Sequence, residues 1–339
     1  MTYKILTGHA IDLLNSLEAE SAQTCVTSPP YWGLRDYGDS GQDWPEVTFC
    51  PVAGLPPLTI PAQRAALGLE ADPWAYVGHM VEVFRAVRRV LRADGTLWLN
   101  LGDSYASNPA SGGRSQSAAF HGSPGLDSDH STPCRQYNRP AGLKRKDLCG
   151  IPWRVAYALQ ADGWYLRSEI IWHKPNPMPE SVTDRPTKGH EQVFLLSKGP
   201  KYFYDVDAIR EDIKPTSGII NGAPLMGEHR LTEGGRRTER REYDQIKGSN
   251  ARTVWTMPTK PYPGAHFAVF PPDLPARCIK AGSRLGDLVI DPFSGAGTTG
   301  LIAQRLRRDY IGTEQNETYA EQSRRRIEAD APLFNRNCD

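Results

Sequence analysis

The sequence predicts an α/β protein with a doubly wound, mostly parallel sheet, and three observations carry that prediction. The first is a strand, a glycine turn and a helix in direct succession. Gly286-Asp287-Leu288-Val289-Ile290 is short, apolar and β-branched; Asp291-Pro292-Phe293-Ser294-Gly295-Ala296-Gly297-Thr298-Thr299-Gly300 is the turn; Leu301–Leu306 reads as helix. Gly295, Gly297 and Gly300 fit G-x-G-x-x-G, a spacing that lets a nucleotide-like ligand approach the backbone, and no Lys follows to make it a P-loop. The second is the strand Tyr310-Ile311-Gly312, which ends at Glu314. That carboxylate lies roughly 20 residues past the glycines, where a ribose-binding acid sits in such sheets. The third is position: little more than one helix follows Glu314, so the remaining strands must come from residues before the turn. The cofactor half therefore sits at the C-terminus.

The totals set bounds. A chain of 339 residues accommodates one large α/β domain with insertions, or two domains. A formal net charge of +1 gives no global electrostatic case for nucleic acid, so any basic surface must be local. The six cysteines contain no C-x-x-C pair, so neither a zinc site nor a disulfide framework is indicated. No stretch is apolar enough to span a membrane and the N-terminus lacks a signal-peptide pattern. The expected location is cytoplasmic, associated with the nucleoid.

From the N-terminus, Tyr3–Leu6 reads as a strand, Ala10–Leu17 as a helix and Gln23–Thr27 as a second strand. That strand runs into Ser28-Pro29-Pro30-Tyr31-Trp32. Two prolines neither continue a central strand nor enter a helix interior, so the chain leaves the sheet here in a rigid, extended form. Ser28, the Pro29 carbonyl and the Tyr31 ring are thereby placed at the carboxyl end of a strand, the edge where open α/β sheets bind ligands. Alone, such a segment is as well explained as a stiff loop. The glycine turn must share the same sheet edge, and together they make a site.

At these residues the chain resembles the amino-group DNA methyltransferases. Thr27-Ser28-Pro29-Pro30-Tyr31 is similar to their catalytic S-P-P-Y motif, and Asp291-Pro292-Phe293-Ser294-Gly295-Ala296-Gly297-Thr298 to their S-adenosylmethionine motif. Catalytic motif first and cofactor motif last is the circularly permuted order of the family's β group. The resemblance implies a Rossmann-like methyltransferase fold. It implies catalytic roles for Ser28, Pro29, Pro30 and Tyr31, and cofactor contacts from Asp291, Pro292, Phe293, Ser294, Gly295, Gly297, Thr298, Thr299 and Glu314. His266-Phe267-Ala268-Val269-Phe270-Pro271 resembles the family segment that packs on the cofactor, which adds His266 and Phe270. One departure stands out: the family usually has Gly-Asp after the first strand, its acid meeting the cofactor's adenine end, and here the pair is Gly8-His9.

The rest follows in order. Residues 40–70 are rich in Pro and Gly without a clear period and read as loop. Asp72-Pro73 supplies an N-cap and a first-turn proline. Tyr76, Val77, Met80, Phe84, Val87 and Leu91 repeat at helical spacing, with Gly95 as the stop. Thr96–Leu101 is a buried-type strand, and Asp103 beyond it either lines the site or is a plain turn carboxylate. Residues 104–148 are Ser-, Gly- and Pro-rich with Arg114, Arg135, Arg139, Lys144, Arg145 and Lys146. They are either a solvated loop or a DNA-contacting one that orders on binding. Pro152–Ala161 reads as helix, then Tyr165–Trp172 as a strand that exits through Trp172-His173-Lys174-Pro175-Asn176-Pro177. His190-Glu191 opens the strand Gln192–Ser197. These two segments resemble the family's region that shapes the target-base pocket; His173 and His190 lack the spacing partners of metal ligands. Leu274–Ala281 reads as a helix.

By this reading, residues 1–204 form the catalytic part, 265–330 the S-adenosylmethionine-binding part, and 205–264 the target-recognition region between them. Arg230, Arg236, Arg237, Arg240, Arg241 and Arg252 are its candidate DNA contacts, since guanidinium groups read guanine edges and bind phosphate. The implied partners are double-stranded DNA and, as often in such systems, a cognate restriction endonuclease. The implied reaction is direct methylation of an exocyclic amine on a base extruded from the duplex. Ser at the head of the motif favours N4 of cytosine, with N6 of adenine second. Cytosine C5 chemistry needs a thiolate, and Pro133-Cys134 lies in the low-complexity loop rather than at a strand tip. A nucleotide-dependent dehydrogenase satisfies the glycines but gives Ser28–Tyr31 no role.

Overall fold

Apolar, β-branched runs too short for helices alternate with amphipathic helices, and such a pattern buries its strands on both faces. In the computed structural model, which describes residues 2–34, 41–106, 142–212, 248–259 and 270–330, the order is β1 (Tyr3–Thr7), α1 (Ala10–Ser16), β2 (Ala22–Thr27), β3 (Gln42–Trp44), β4 (Val47–Phe49), β5 (Leu58–Ile60), β6 (Gln63–Ala65), α2 (Pro73–Val90), β7 (Leu91–Leu101), α3 (Ile151–Ala161), β8 (Tyr165–His173), β9 (His190–Ser197), β10 (Val254–Thr256), α4 (Asp273–Gly282), β11 (Leu288–Asp291), α5 (Thr298–Arg305), β12 (Asp309–Glu314) and α6 (Glu317–Asp330).

Eight strands form one sheet in the order β1-β12-β11-β2-β7-β9-β8-β10, parallel except that β9 runs against both β7 and β8. This is the doubly wound, mostly parallel sheet expected. Every residue of β2, the strand that carries the Pro-Pro exit, is buried. Its neighbours in sequence face opposite layers: Cys25 packs with α1, α2 and α3, Val26 with α4, α5 and α6. From β11 the chain winds toward β12, and from β2 toward β7. The crevice between β11 and β2 is therefore the topological switch point, where ligands bind beyond the carboxyl ends of the strands.

Two expectations need correction. Gly95 does not stop a helix: Leu91 already has an extended backbone as the C-cap of α2 and pairs with Ala22, so β7 begins there and Gly95 lies inside it. Residues 40–70 are not loop throughout. β3 pairs with β6 and β4 with β5, and Trp44, Val47 and Phe49 are buried against α2. Trp44 stacks on His79 with ring centroids 4.0 Å apart. Short antiparallel pieces escape a periodicity search because three residues are less than two full alternations. Within 205–264, β10 belongs to the main sheet, pairing in parallel with β8. Asp103 proves to be a turn and cap carboxylate, accepting from the backbone N–H groups of Ser104, Gly150 and Ile151 at the start of α3.

Candidate active site

The glycine turn is built by side chains that face inward. Asp291, at the tip of β11, accepts from Thr27 Oγ1 at 2.6 Å and from the Phe293 N–H at 3.0 Å. Burial pushes its carboxyl up to about 6, against the pull of these donors. Ser294 meets the Tyr310 hydroxyl at 3.0 Å, and Thr299 donates to the Val26 carbonyl at 3.3 Å. Asp291, Ser294 and Thr299 thus shape the turn from behind, and Thr298 Oγ1 accepts from Arg326 at 2.9 Å. Gly297 has φ +72°, and a Cβ there would lie 2.1 Å from Ser323 Oγ. Only glycine supplies that combination of backbone angle and space.

Facing the turn is Glu314, at the tip of β12. Its Oε2 accepts from the Gly295 N–H at 2.8 Å and its Oε1 from the Asn316 N–H at 2.9 Å. Burial raises its pKa, helped by the nearby Asp291 charge and opposed by the two N–H donors. An acid at a strand tip, a backbone without side chains at Gly295 and Gly297, and a partly exposed Phe293 are features that suit an adenosyl ligand. On the far side of Glu314, the Gly8 N–H donates to its carbonyl at 2.9 Å. His9 lies 3.6 Å from Asp12 and meets Trp44 edge-on, centroids 5.5 Å apart. Phe270 packs on the core beside α4; His266 lies outside the described residues.

Across the crevice, the Ser28–Trp32 segment leaves β2 and is clamped from several elements. Tyr76 of α2 donates to the Pro30 carbonyl at 2.9 Å, Trp32 Nε1 to the Glu70 carbonyl at 2.9 Å, and the Gly33 N–H to the Gly68 carbonyl at 2.8 Å. The 41–70 insertion is therefore a support for this segment. Glu70 is in turn tied to His79 at 2.9 Å, with both side chains fully buried. Each neutral bond of the clamp is worth about 0.5–1.5 kcal/mol.

The side chains of that segment meet a polar cluster. Ser28 Oγ donates to the Tyr31 hydroxyl at 3.1 Å, and the Tyr31 hydroxyl donates to Glu191 Oε2 at 2.7 Å. Asn100 Nδ2, from β7, is 2.5 Å from the Tyr31 oxygen, 2.9 Å from Glu191 Oε2 and 3.3 Å from Ser28 Oγ. Three oxygens around one amide terminus dictate that it is the NH2 end. Lys174, just beyond β8, pairs with Glu191 Oε1 while lying 4.4 Å over the Trp172 ring. Burial alone would raise the Glu191 pKa; the Lys174 ammonium and the donors Asn100 and Tyr31 outweigh it and hold the carboxyl below its ordinary value. Glu191 reaches this edge because β9 runs antiparallel, so its first residues stand beside the ends of its neighbours.

Ser28, Tyr31, Asp291 and Glu314 thus share one edge at the switch point. Tyr31 does not offer a wholly open ring: a Cβ on Gly102 would lie 2.6 Å from its Cε2, so one part of the ring rests on the Gly102 backbone. Asn100 was not anticipated, although it is the one polar residue in Leu97-Trp98-Leu99-Asn100-Leu101 and is buried. A lone amide in an apolar strand near its carboxyl end was the available signal. Arg230, Arg236, Arg237, Arg240 and Arg241 lie outside the described residues, as do Pro133 and Cys134. Arg252 is exposed but engaged, its Nε 2.9 Å from Glu211, which also binds Arg277. His173 and His190 face each other in the β8–β9 register, His173 Nδ1 lying 3.1 Å from Thr256 Oγ1, and no group of three metal-ligating side chains forms among the described residues. No described helix is long and apolar enough to cross a membrane.

A glycine turn with an acid on the next strand thus faces a rigid Pro-Pro exit across the switch point. The family described as DNA methylase, the N6/N4 methyltransferases, matches residues 22–325, and the chain belongs to it. It is an amino DNA methyltransferase, and S-adenosylmethionine is its cofactor. Among its relatives are the Type II methyltransferase M.SmaI of Serratia marcescens, 44% identical over 96% of this chain and 90% of the relative, and M.Cfr9I of Citrobacter freundii, 40% identical over 95% and 87%. In fold it is similar to the PvuII DNA methyltransferase, named as cytosine-N4-specific (TM-score 0.59, 18% identity, 100% of this chain and 89% of the other). It is also similar to a putative DNA modification methylase of Thermus thermophilus complexed with S-adenosyl-L-methionine (TM-score 0.56, 20% identity, 98% and 96%).

Proposed function

We propose that this chain is a site-specific, Type II-like DNA methyltransferase that methylates the exocyclic N4 amine of cytosine in double-stranded DNA. The observation that carries the reading is the Ser28-Pro29 corner, held at the β2 tip beside the glycine turn with its serine hydroxyl oriented by Tyr31. Support comes from the relatives named Type II methyltransferases, which also suggest a short fixed recognition sequence and a cognate endonuclease.

The amine of cytosine is a poor nucleophile because its lone pair is delocalised into the ring. Acceptors placed for both amino hydrogens draw the nitrogen toward a tetrahedral shape and return the lone pair. Ser28 Oγ and the Pro29 carbonyl are such acceptors, and the two prolines fix the carbonyl direction before substrate arrives. Because the Ser28 hydroxyl hydrogen is committed to Tyr31, Oγ is left to act as an acceptor, with Asn100 Nδ2 on one side at 3.3 Å. The amine is paired within a duplex, so the base must be extruded, and the exposed part of the Tyr31 ring is the surface it stacks on. Glu314, the Gly295–Gly297 backbone and Phe293 would hold the cofactor, which supplies an electrophilic methyl group when bound. The stretch 205–264, with Arg230, Arg236, Arg237, Arg240, Arg241 and Arg252, is the proposed target-recognition region; His266 and Phe270 are proposed to border the cofactor.

Mass spectrometry of nucleosides from DNA treated with the protein tests the base. N4-methylcytosine is the expected product, and N6-methyladenine in its place would overturn the choice of base while leaving the acceptor geometry intact.

A further inference from the structure

The reaction leaves one proton to be placed. When the amine nitrogen bonds the methyl carbon, the carbon–sulfur bond breaks, its electron pair neutralises the sulfonium, and the nitrogen becomes cationic with a hydrogen to lose. Ser28 is a poor final base, since a protonated serine hydroxyl is a strong acid. The hydrogen bonds around it have a direction, however. Ser28 Oγ–H points to the Tyr31 oxygen at 3.1 Å, and Tyr31 O–H points to Glu191 Oε2 at 2.7 Å. Both hydroxyl donors of the line are aligned toward the carboxylate, as a concerted transfer requires.

We propose that Ser28, Tyr31 and Glu191 form a proton relay ending on the Glu191 carboxylate. This rests on the methyltransferase reading above. In the transfer, the amine proton passes to Ser28 Oγ, the Ser28 proton to the Tyr31 oxygen, and the Tyr31 proton to Glu191. Ser28 and Tyr31 finish neutral, Glu191 finishes as a carboxylic acid, and charge and atoms balance. Asn100 holds the line straight by donating to both the Tyr31 oxygen and Glu191 Oε2. Lys174, paired with Glu191 Oε1, keeps the terminus ionised between turnovers; Lys188 also feels the Glu191 charge, although burial lowers its own pKa. The nitrogen cation of a methylated aminopyrimidine is far more acidic than a carboxylic acid, so a carboxylate of lowered basicity still accepts its proton. Among the described residues, the charged and titratable groups facing Glu191 include Lys174, Lys188 and Tyr31.

Single-turnover methyl transfer in Tyr31→Phe, Glu191→Gln and the double variant tests the relay. S-adenosylhomocysteine and target-DNA binding are measured alongside. Both single variants are expected to bind as the parent does and to transfer at least about 100-fold more slowly, the usual worth of positioned proton transfer. The double variant is expected to be no slower than the worse single, because one broken link disables the whole line. In the cofactor-free protein, carbon-13 NMR is expected to show Glu191 titrating below the ordinary glutamate range and moving up in Lys174→Met. Transfer by Glu191→Gln within threefold of the parent, or losses that multiply in the double variant, overturns the relay. Tyr31→Phe removes a single oxygen and decides the matter if Glu191→Gln does not fold. A parent protein that methylates neither cytosine nor adenine overturns the functional reading itself, whereas an active parent beside equally active variants overturns the relay alone.

Discussion

The two halves of the site are assembled in opposite ways. The cofactor side is nearly continuous in sequence: Asp291, the glycine turn and Glu314 follow one another along β11, α5 and β12, and Gly295 bonds Glu314 directly. The target side is dispersed. Its Ser28–Trp32 segment is oriented by Glu70 and Tyr76, by Asn100 of β7 and by Glu191 of β9, which Lys174 beyond β8 holds in turn. A ligand common to many proteins can be held by one local turn. Positioning a reacting amine demands acceptors fixed from several directions, and only long-range packing supplies them.

Breaking the local half is expected to have the largest effect. Gly297→Val sets a branched side chain against Ser323 at a positive φ, and isothermal calorimetry should register no binding of S-adenosylhomocysteine. Unchanged affinity would show that the turn is not the cofactor site. On the dispersed half, Tyr31→Ala removes the hydroxyl as well as the ring and should keep that affinity while lowering methyl transfer at least about 100-fold, as Tyr31→Phe does; parental turnover would detach the residue from catalysis. A milder change, Gly102→Ala, pushes on the Tyr31 ring from beneath, since the new Cβ would start 2.6 Å from Cε2. Turnover should fall severalfold with cofactor affinity intact, and a parallel loss of both would mean that the two halves are mechanically coupled.

The smallest expected effect is on stability. The folded-state pKa of Asp291, about 6, lies above its ordinary value of 3.8, so the folded protein holds a proton that the unfolded chain releases first. Its contribution to stability is therefore full at low pH and is lost as pH rises from about 4 through about 6. Asp291→Asn, which keeps the acceptor oxygen, should melt a few degrees above the parent at pH 8, with the gap closing toward pH 4; calorimetric melts across that range check it. A gap that widens on acidification would reverse the sign of the assignment.

The same contrast explains what was legible in the sequence. The glycine turn and Glu314 could be read because their spacing is itself the geometry, and Ser28–Tyr31 because paired prolines force a strand exit. That most strands precede the turn followed from its place in the sequence, whereas their order in the sheet emerged only from the fold. The roles of Asn100, Glu191 and Lys174 were not legible at residue level, since a polar residue in a strand declares its partner only when the register is known. β9 places Glu191 at the working edge solely by running antiparallel. The strands within 41–70 were hidden by their shortness, and their purpose, bracing Trp32 and Gly33, depends on a fold around α2.

The most direct test of the central claim is long-read sequencing of DNA from cells expressing this chain, paired with mass spectrometry of its nucleosides. N4-methylcytosine is expected at one fixed short sequence, absent when Ser28→Ala is expressed. DNA carrying no methylated amine, in any sequence context, would contradict it.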